Sequence, residues 1–121
     1  MAREFTSGGT SKLELDYDRY EIPDQNNLYG ILGFKTSKHQ TANHFDNIGW
    51  SVRKNTWTDY EIESTWAKLT IEGKNEILLN GVIDEQKFDE LKTILDNFKL
   101  DFSIELYNSK QEKIKTATNN K

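Results

Sequence analysis

Few side chains of this chain can act as metal ligands or as acids and bases near neutral pH, because it has two histidines and no cysteine. His39 and His44 stand five positions apart, with Asp46 close by, in a polar stretch. That spacing matches no helix face and no common pair of metal ligands. No serine stands in a Gly-x-Ser-x-Gly elbow. We therefore expect no metal, no cofactor and no catalytic residue, and a protein that is not an enzyme.

Acidic side chains recur at every second position in two segments of the sequence. The first segment contributes Glu14, Asp16 and Asp18, and the second contributes Asp59, Glu61 and Glu63. Alternate residues of a strand lie on one face, about 6.5–7 Å apart, so each set would form an anionic row. Such a row suits a partner rich in lysine and arginine. The alternative is a solvated sheet face, or a sheet edge guarded by charge.

Two tryptophans and two cations interleave between Trp50 and Trp57, where Arg53 and Lys54 also lie. A surface that binds a single-stranded nucleic acid uses this composition to stack bases and hold phosphates. The net charge of −4 disfavours that interpretation, because nucleic-acid affinity comes from cations that neutralise phosphates. Packing in the core is the alternative. An exposed Trp50 or Trp57 would instead be an anchor for a protein partner, since tryptophan is enriched at binding hot spots.

In most of the rest of the chain, the pattern of apolar and polar residues is typical of strands, and these strands would position the residues named above. Alternation predicts a half-buried strand over 12–18, and apolar residues on both faces predict a central strand over 28–35. A short strand is expected at 50–53, and a longer strand begins near Trp57 and changes phase near Trp66, which indicates a bulge. The turn at 73–75 leads into its hairpin partner, and a last strand covers 100–107.

One amphipathic helix is predicted at 84–98, because apolar residues recur there at spacings of three and four after the capping residue Asp84. Residues 36–49 are interpreted as a long polar connection. The fold class is therefore α+β, a mainly antiparallel sheet of about five to six strands with one helix on one face, in the order β-β-β-β-β-α-β.

The chain length of 121 residues predicts one domain, at 12–108, between two polar ends. Residues 1–11 are expected to be a flexible arm, and residues 109–121, with a net charge of +3, a basic flexible tail. No apolar run is long enough for a membrane span, and no signal peptide is apparent. We expect a cytoplasmic location.

Small size, acidity and the lack of catalytic groups are shared with inhibitor and immunity proteins, which act by covering a basic surface. The leading hypothesis is a non-enzymatic protein-binding module of this type, with its anionic sheet face on a basic partner such as a nuclease or another nucleic-acid-binding protein. One alternative is a binder of single-stranded nucleic acid or nucleotides that uses Trp50–Trp57. Another is an accessory or assembly subunit, for example of a phage particle, which would form homo-oligomers through a strand edge.

Overall fold

The computed structural model describes residues 22–33, 36–56 and 58–119. Seven strands and two α-helices are present in these ranges. In chain order they are β1 (Leu28–Ile31), α1 (Lys38–Asn47), β2 (Ser51–Lys54), β3 (Tyr60–Glu63), β4 (Ala67–Glu72), β5 (Leu78–Ile83), α2 (Phe88–Asn97), β6 (Ser103–Tyr107) and β7 (Lys113–Thr118). A short 3₁₀ turn at Glu85–Lys87 precedes α2.

The described strands form one antiparallel sheet in the order β2-β3-β4-β5-β1-β6-β7. The α+β class and the amphipathic helix against the sheet are therefore confirmed, with more strands than expected. The first described strand, β1, lies between β5 and β6, so the strands that follow it in the chain lie on both sides of it in the sheet. The predicted strand at 12–18 lies outside the described residues.

Helix α1 occupies most of the segment that was expected to be a polar connection. A capping box starts it, since the Ser37 side chain accepts a hydrogen bond from the Gln40 backbone and the Gln40 side chain accepts one from the Ser37 backbone. Ala42 and Phe45 bury the inner side of α1 in the core. The prediction of a loop over 36–49 is wrong. The apolar face of α1 is so narrow that the sequence shows little helical periodicity, but the capping box and the tertiary packing together suffice to form the helix.

Two further differences explain the strand count. The predicted bulge near Trp66 is a tight turn between β3 and β4, in which the Ser64 N–H donates to the Ala67 carbonyl. In place of a basic tail over 109–121, the structure has strand β7, which pairs with β6. Backbone hydrogen bonds supply this pairing, so β7 forms although nearly all its side chains are exposed. The N-terminal arm predicted at 1–11 lies outside the described residues.

The core lies between one face of the sheet and the two helices. Alternate strand residues such as Leu69, Leu79 and Ile104 point into it and are buried. Leu91 of α2 fills the same cluster, and the Phe45 ring of α1 meets Phe98 at 5.0 Å between ring centroids. Both helices therefore cover the same side of the sheet, which we call the closed face. The other side, which neither helix covers, is the open face.

No helix in the described ranges combines the length and the apolar character that a bilayer crossing requires.

Candidate functional site

The centre of the open face carries exposed apolar side chains. Tyr29 and Ile31 of β1 are 39% and 42% exposed, although β1 has a neighbouring strand on each side. Tyr107 of β6 is partly buried beside them, and its ring meets the Tyr29 ring edge to face at 5.5 Å between centroids. Leu78 and Val82 of β5 are also only partly buried on this face. Apolar side chains that are exposed next to one another form a candidate interaction surface.

A cluster of alternating charges covers the part of the open face formed by β2, β3 and β4. Arg53 Nη2 lies 2.7 Å from Glu61 Oε1, and Lys68 Nζ lies 3.6 Å from the same oxygen. Lys68 Nζ also approaches Glu63 Oε1 at 4.0 Å. The hydrogen bond and negative charge of Glu61 raise the pKa of the Arg53 guanidinium above its ordinary value. The cluster contains two cations and two anions, so it has no net charge.

Two more acidic side chains lie on the open face on either side of its centre. Glu72 Oε1 accepts a hydrogen bond of 2.7 Å from the Asn80 side chain. Glu105, which stands opposite Tyr29 in the sheet, lies 3.0 Å from Lys113 Nζ. Its hydrogen bond and charge raise the pKa of the Lys113 ammonium. Only Lys113 forms an ion pair with either carboxylate in the described part of the chain, so the rim of the apolar centre is slightly acidic.

Two cavities adjoin this surface and share Asp24. The first, about 500 Å³, lies over β2–β5, between the charge cluster and the Asp24–Asn26 segment. The second, about 300 Å³, lies where β1 begins and β6 ends, and Tyr107 forms part of its wall. Both volumes fall within the range of about 300–1,000 Å³ that is usual for ligand pockets.

The structure brings only part of the predicted anionic row together. Glu61 and Glu63 point to the open face as expected, but both approach basic residues there. Asp59 does not extend their row, since its carboxylate lies 3.1 Å from Lys38 Nζ at the start of α1. The predicted contact residues Glu14, Asp16 and Asp18 lie outside the described residues.

The tryptophan segment does not form one exposed surface in its described part. Trp50 is only 4% exposed, and its ring lies 4.8 Å from Phe45 and 5.2 Å from Trp66 between centroids. Its prediction as an exposed anchor is wrong because α1, which the sequence pattern did not reveal, encloses it. Arg53 and Lys54 point to opposite faces of β2. Trp57 lies outside the described residues.

The two histidines take structural places rather than a shared site. His39 Nδ1 lies 3.0 Å from the Tyr60 hydroxyl oxygen, and the His44 ring stacks on Phe98 at 4.8 Å between centroids. Burial raises the pKa of the Tyr60 phenol. Within the described ranges, no group of three or more histidine and carboxylate side chains is placed to hold a metal ion.

The sequence interpretation missed the surface at Tyr29, Ile31 and Tyr107. The sequence contained a signal for this surface. Residues 28–35 are apolar on both faces of the predicted strand, whereas the one predicted helix could cover only one face of the sheet.

Comparison of the chain with models of protein families, with curated proteins and with solved structures found no match.

Proposed function

We propose that this protein is a non-enzymatic protein-binding module of the inhibitor or immunity type, and that the open face docks on a basic protein partner in the cytoplasm. The observation that carries the proposal is the exposure of Tyr29 and Ile31 at the centre of the open face. Tyrosine is enriched at hot spots because one ring contributes a large apolar area and a polar end at a low cost in conformational entropy.

The surroundings of Tyr29 and Ile31 have the organisation of a protein interface. An apolar centre with a polar and charged rim excludes water from the central contacts while the rim fixes orientation. The edge-to-face contact with Tyr107 holds the Tyr29 ring in place, so little side-chain entropy is lost when a partner covers it. The surface is therefore ready to bind without rearrangement.

Charge supports a basic partner. The chain has a net charge of −4, and Glu72 and Glu105 lie on the open face at either side of the apolar centre. The charge cluster around Glu61 contributes shape and hydrogen-bonding groups more than net attraction, because its acids and bases neutralise one another. We therefore assign the main contact to the apolar centre, with the acidic groups guiding the approach of the partner.

The test is affinity capture from a native lysate with three forms of the protein. The wild type is compared with the open-face variant Tyr29→Ser/Ile31→Ser and with the control variant Ile48→Ser/Ile114→Ser. The control is closely matched, because Ile48 and Ile114 are the other two large exposed hydrophobic residues in the described ranges, at 48% and 42% exposure. Circular dichroism and the thermal midpoint establish that each variant is folded.

We expect the wild type and the control to retain the same basic protein, and the open-face variant to lose it. After purification of that protein, calorimetry should give a dissociation constant at least about 100-fold weaker for the open-face variant, since two hot-spot residues are removed. Equal retention by the open-face variant, or retention of acidic proteins only, would contradict the proposal.

A second candidate function, assembly through a strand edge, has one observation in its favour. β7 pairs only with β6 in the described part of the sheet, which leaves the other edge of β7 for a second copy of the chain. Lys113 and Lys115 on this strand oppose such pairing by charge. Light scattering distinguishes the two functions. A molecular mass that rises with protein concentration in the wild type, but not in Thr116→Pro, would favour assembly.

A further inference from the structure

The smaller of the two cavities, which we call the end cavity, has a lining that specifies a ligand. Pro23, Asp24, Gln25, Asn27, Glu85, Tyr107, Asn108, Ser109 and Gln111 line it. These residues come from three separate parts of the chain: the segment before β1, the 3₁₀ turn before α2, and the end of β6 together with the β6–β7 turn. The sequence interpretation assigned no function to the cavity.

The floor of the end cavity is rigid. Asn27 is 3% exposed, and its side chain donates to the Ile83 carbonyl at 2.9 Å while it accepts from the Ile83 N–H at 2.9 Å. Its backbone carbonyl accepts a hydrogen bond of 2.8 Å from the Tyr107 N–H. The ends of β1, β5 and β6 are thereby held together, so the floor exists before any ligand arrives.

The walls are held equally well by their own hydrogen bonds. In the β6–β7 turn the Asn108 side chain accepts from the backbone N–H groups of Lys110 and Glu112 at 2.9 and 3.0 Å. On the opposite side Asp84 caps the 3₁₀ turn by accepting from the Gln86 N–H at 2.9 Å. The backbone of Glu85, which follows the cap directly, is therefore held in place. The backbone of both walls is therefore in place before a ligand binds.

Two carboxylates in this lining have no counter-charge in the part of the chain that the structure describes. Asp24 and Glu85 form no hydrogen bond and no ion pair through their side chains anywhere in the described ranges, whereas most acids of the open face do. Among the described residues, no basic side chain lines the cavity. A cationic group is therefore the ligand that would balance these two charges.

The remaining lining selects among cations. The side-chain carbonyl groups of Gln25 and Gln111 add acceptors near the carboxylates, and the Tyr107 ring adds an aromatic wall. A guanidinium presents five N–H donors in one plane and stacks on aromatic rings, so it can satisfy several acceptors and the ring at once. A lysine ammonium is a compact point charge that fits this arrangement less well.

We propose that the end cavity binds the side chain of an arginine from the protein partner, held by Asp24 and Glu85 and stacked on Tyr107. This inference rests on the proposed function, because the Tyr107 ring joins the cavity to Tyr29 on the open face. One partner can therefore cover the apolar centre and place an arginine in the cavity. The cavity acts as the specificity pocket of the interface.

The test needs no partner protein. The ¹⁵N-labelled chain is titrated with N-acetyl-arginine methylamide, and separately with the citrulline and lysine analogues, while backbone amide signals are followed by NMR. Citrulline has nearly the shape of arginine but no charge. We expect the arginine compound to shift the signals of Gln25, Ser109 and Gln111 in a saturable way, the lysine compound to bind several-fold more weakly, and the citrulline compound to leave them unchanged.

Two variants connect the effect to the carboxylates. Asp24→Asn/Glu85→Gln should weaken arginine binding at least tenfold. Glu76→Gln/Asp89→Asn removes the same amount of charge at exposed positions outside the cavity and should leave binding unchanged. Equal shifts with citrulline, equal affinity for the lysine compound, or undiminished binding by the first variant would overturn the assignment.

The titration and the capture experiment fail independently. Arginine binding in the end cavity without capture of any partner on the open face would support the pocket and contradict the proposed function. Capture that depends on Tyr29 and Ile31, together with no arginine binding, would support the function and overturn the pocket.

Discussion

Glu61 lies between two cations on the open face, with its Oε1 2.7 Å from Arg53 Nη2 and 3.6 Å from Lys68 Nζ. Arg53 and Glu61 are directly opposite each other in the β2–β3 pair, so strand register creates the contact. The Glu61 side chain is only 14% exposed, which limits solvent screening of the ion pair. The Glu61 carboxylate of β3 thus stabilises the sheet and also forms part of its surface.

Replacement of Glu61 by glutamine should lower the free energy of unfolding by about 1–2 kcal/mol, because Arg53 and Lys68 then face each other without the intervening charge. Urea denaturation measures the change. Glu76→Gln, at an exposed position in the β4–β5 turn, is the matched control and should stay within about 0.5 kcal/mol of the wild type. Equal effects of the two substitutions would contradict the structural role of Glu61.

Gly81 should tolerate no side chain. Its φ is +155°, and a Cβ there would meet the Lys68 carbonyl oxygen and lie 2.8 Å from Leu69 Cα, both parts of the neighbouring strand. Gly81→Ala should therefore cost about 3–4 kcal/mol of unfolding free energy. Gly49, with φ +94°, has open space at its Cβ position, so Gly49→Ala should cost only about 1 kcal/mol of backbone strain. Chemical denaturation of the two variants side by side checks this order, which the reverse result would refute.

Stability should decline at high pH partly through Tyr60. Burial raises the pKa of its phenol in the folded state. Its contribution to stability is complete below the unfolded-state pKa of about 10 and decreases as pH rises through the folded-state pKa, because the unfolded chain releases the proton first. Between about pH 9 and 11, the denaturation midpoint of the wild type should therefore fall more steeply than that of Tyr60→Phe. Parallel curves would show that the phenol titrates no differently in the folded chain.

The acidic alternation at 14–18 leads to a prediction from sequence alone. Asp16→Lys/Asp18→Lys should slow association with the captured basic partner about tenfold at low salt and reduce the salt dependence of the rate, since charge guides the encounter. Stopped-flow fluorescence measures both quantities. Glu76→Lys/Asp89→Lys reverses the same number of charges elsewhere, and an equal effect of this control would attribute the change to net charge rather than to the 14–18 row.

The elements that could be predicted are those whose own side chains repeat with the period of the structure. In α2, Phe88, Leu91 and Leu95 recur at spacings of three and four and are all buried. The β4–β5 hairpin likewise alternates, with Leu69 and Leu79 on the closed face. In these segments the local pattern and the tertiary packing agree.

Other elements depend on contacts that no local pattern reveals. Helix α1 buries only Ala42 and Phe45 as apolar residues, and its clearest local signal is the Ser37–Gln40 capping box. β7 exists because β6 offers it a hydrogen-bonding edge. The missed helix also affected the candidate site. Because α1 was not predicted, nothing in the sequence indicated that Trp50 would be buried.

The apolar centre of the open face has a similar explanation. Residues 28–31 are apolar on both faces, which is the pattern of a strand covered on both sides. Both described helices lie on the closed face, so Tyr29 and Ile31 remain exposed. The position of both described helices on the closed face, which no local pattern reveals, is what leaves one face of this strand exposed.

Side-chain footprinting of the complex with hydroxyl radicals tests the central claim most directly, since it reports which side chains of the chain the captured partner covers. We predict that oxidation of Tyr29, Ile31 and Tyr107 falls at least about fivefold on binding, as expected for hot-spot residues that lose contact with water. Oxidation of Ile48 and Ile114 should not change. Protection of Ile48 or Ile114 with continued oxidation of Tyr29 and Ile31 would contradict the open face as the binding surface.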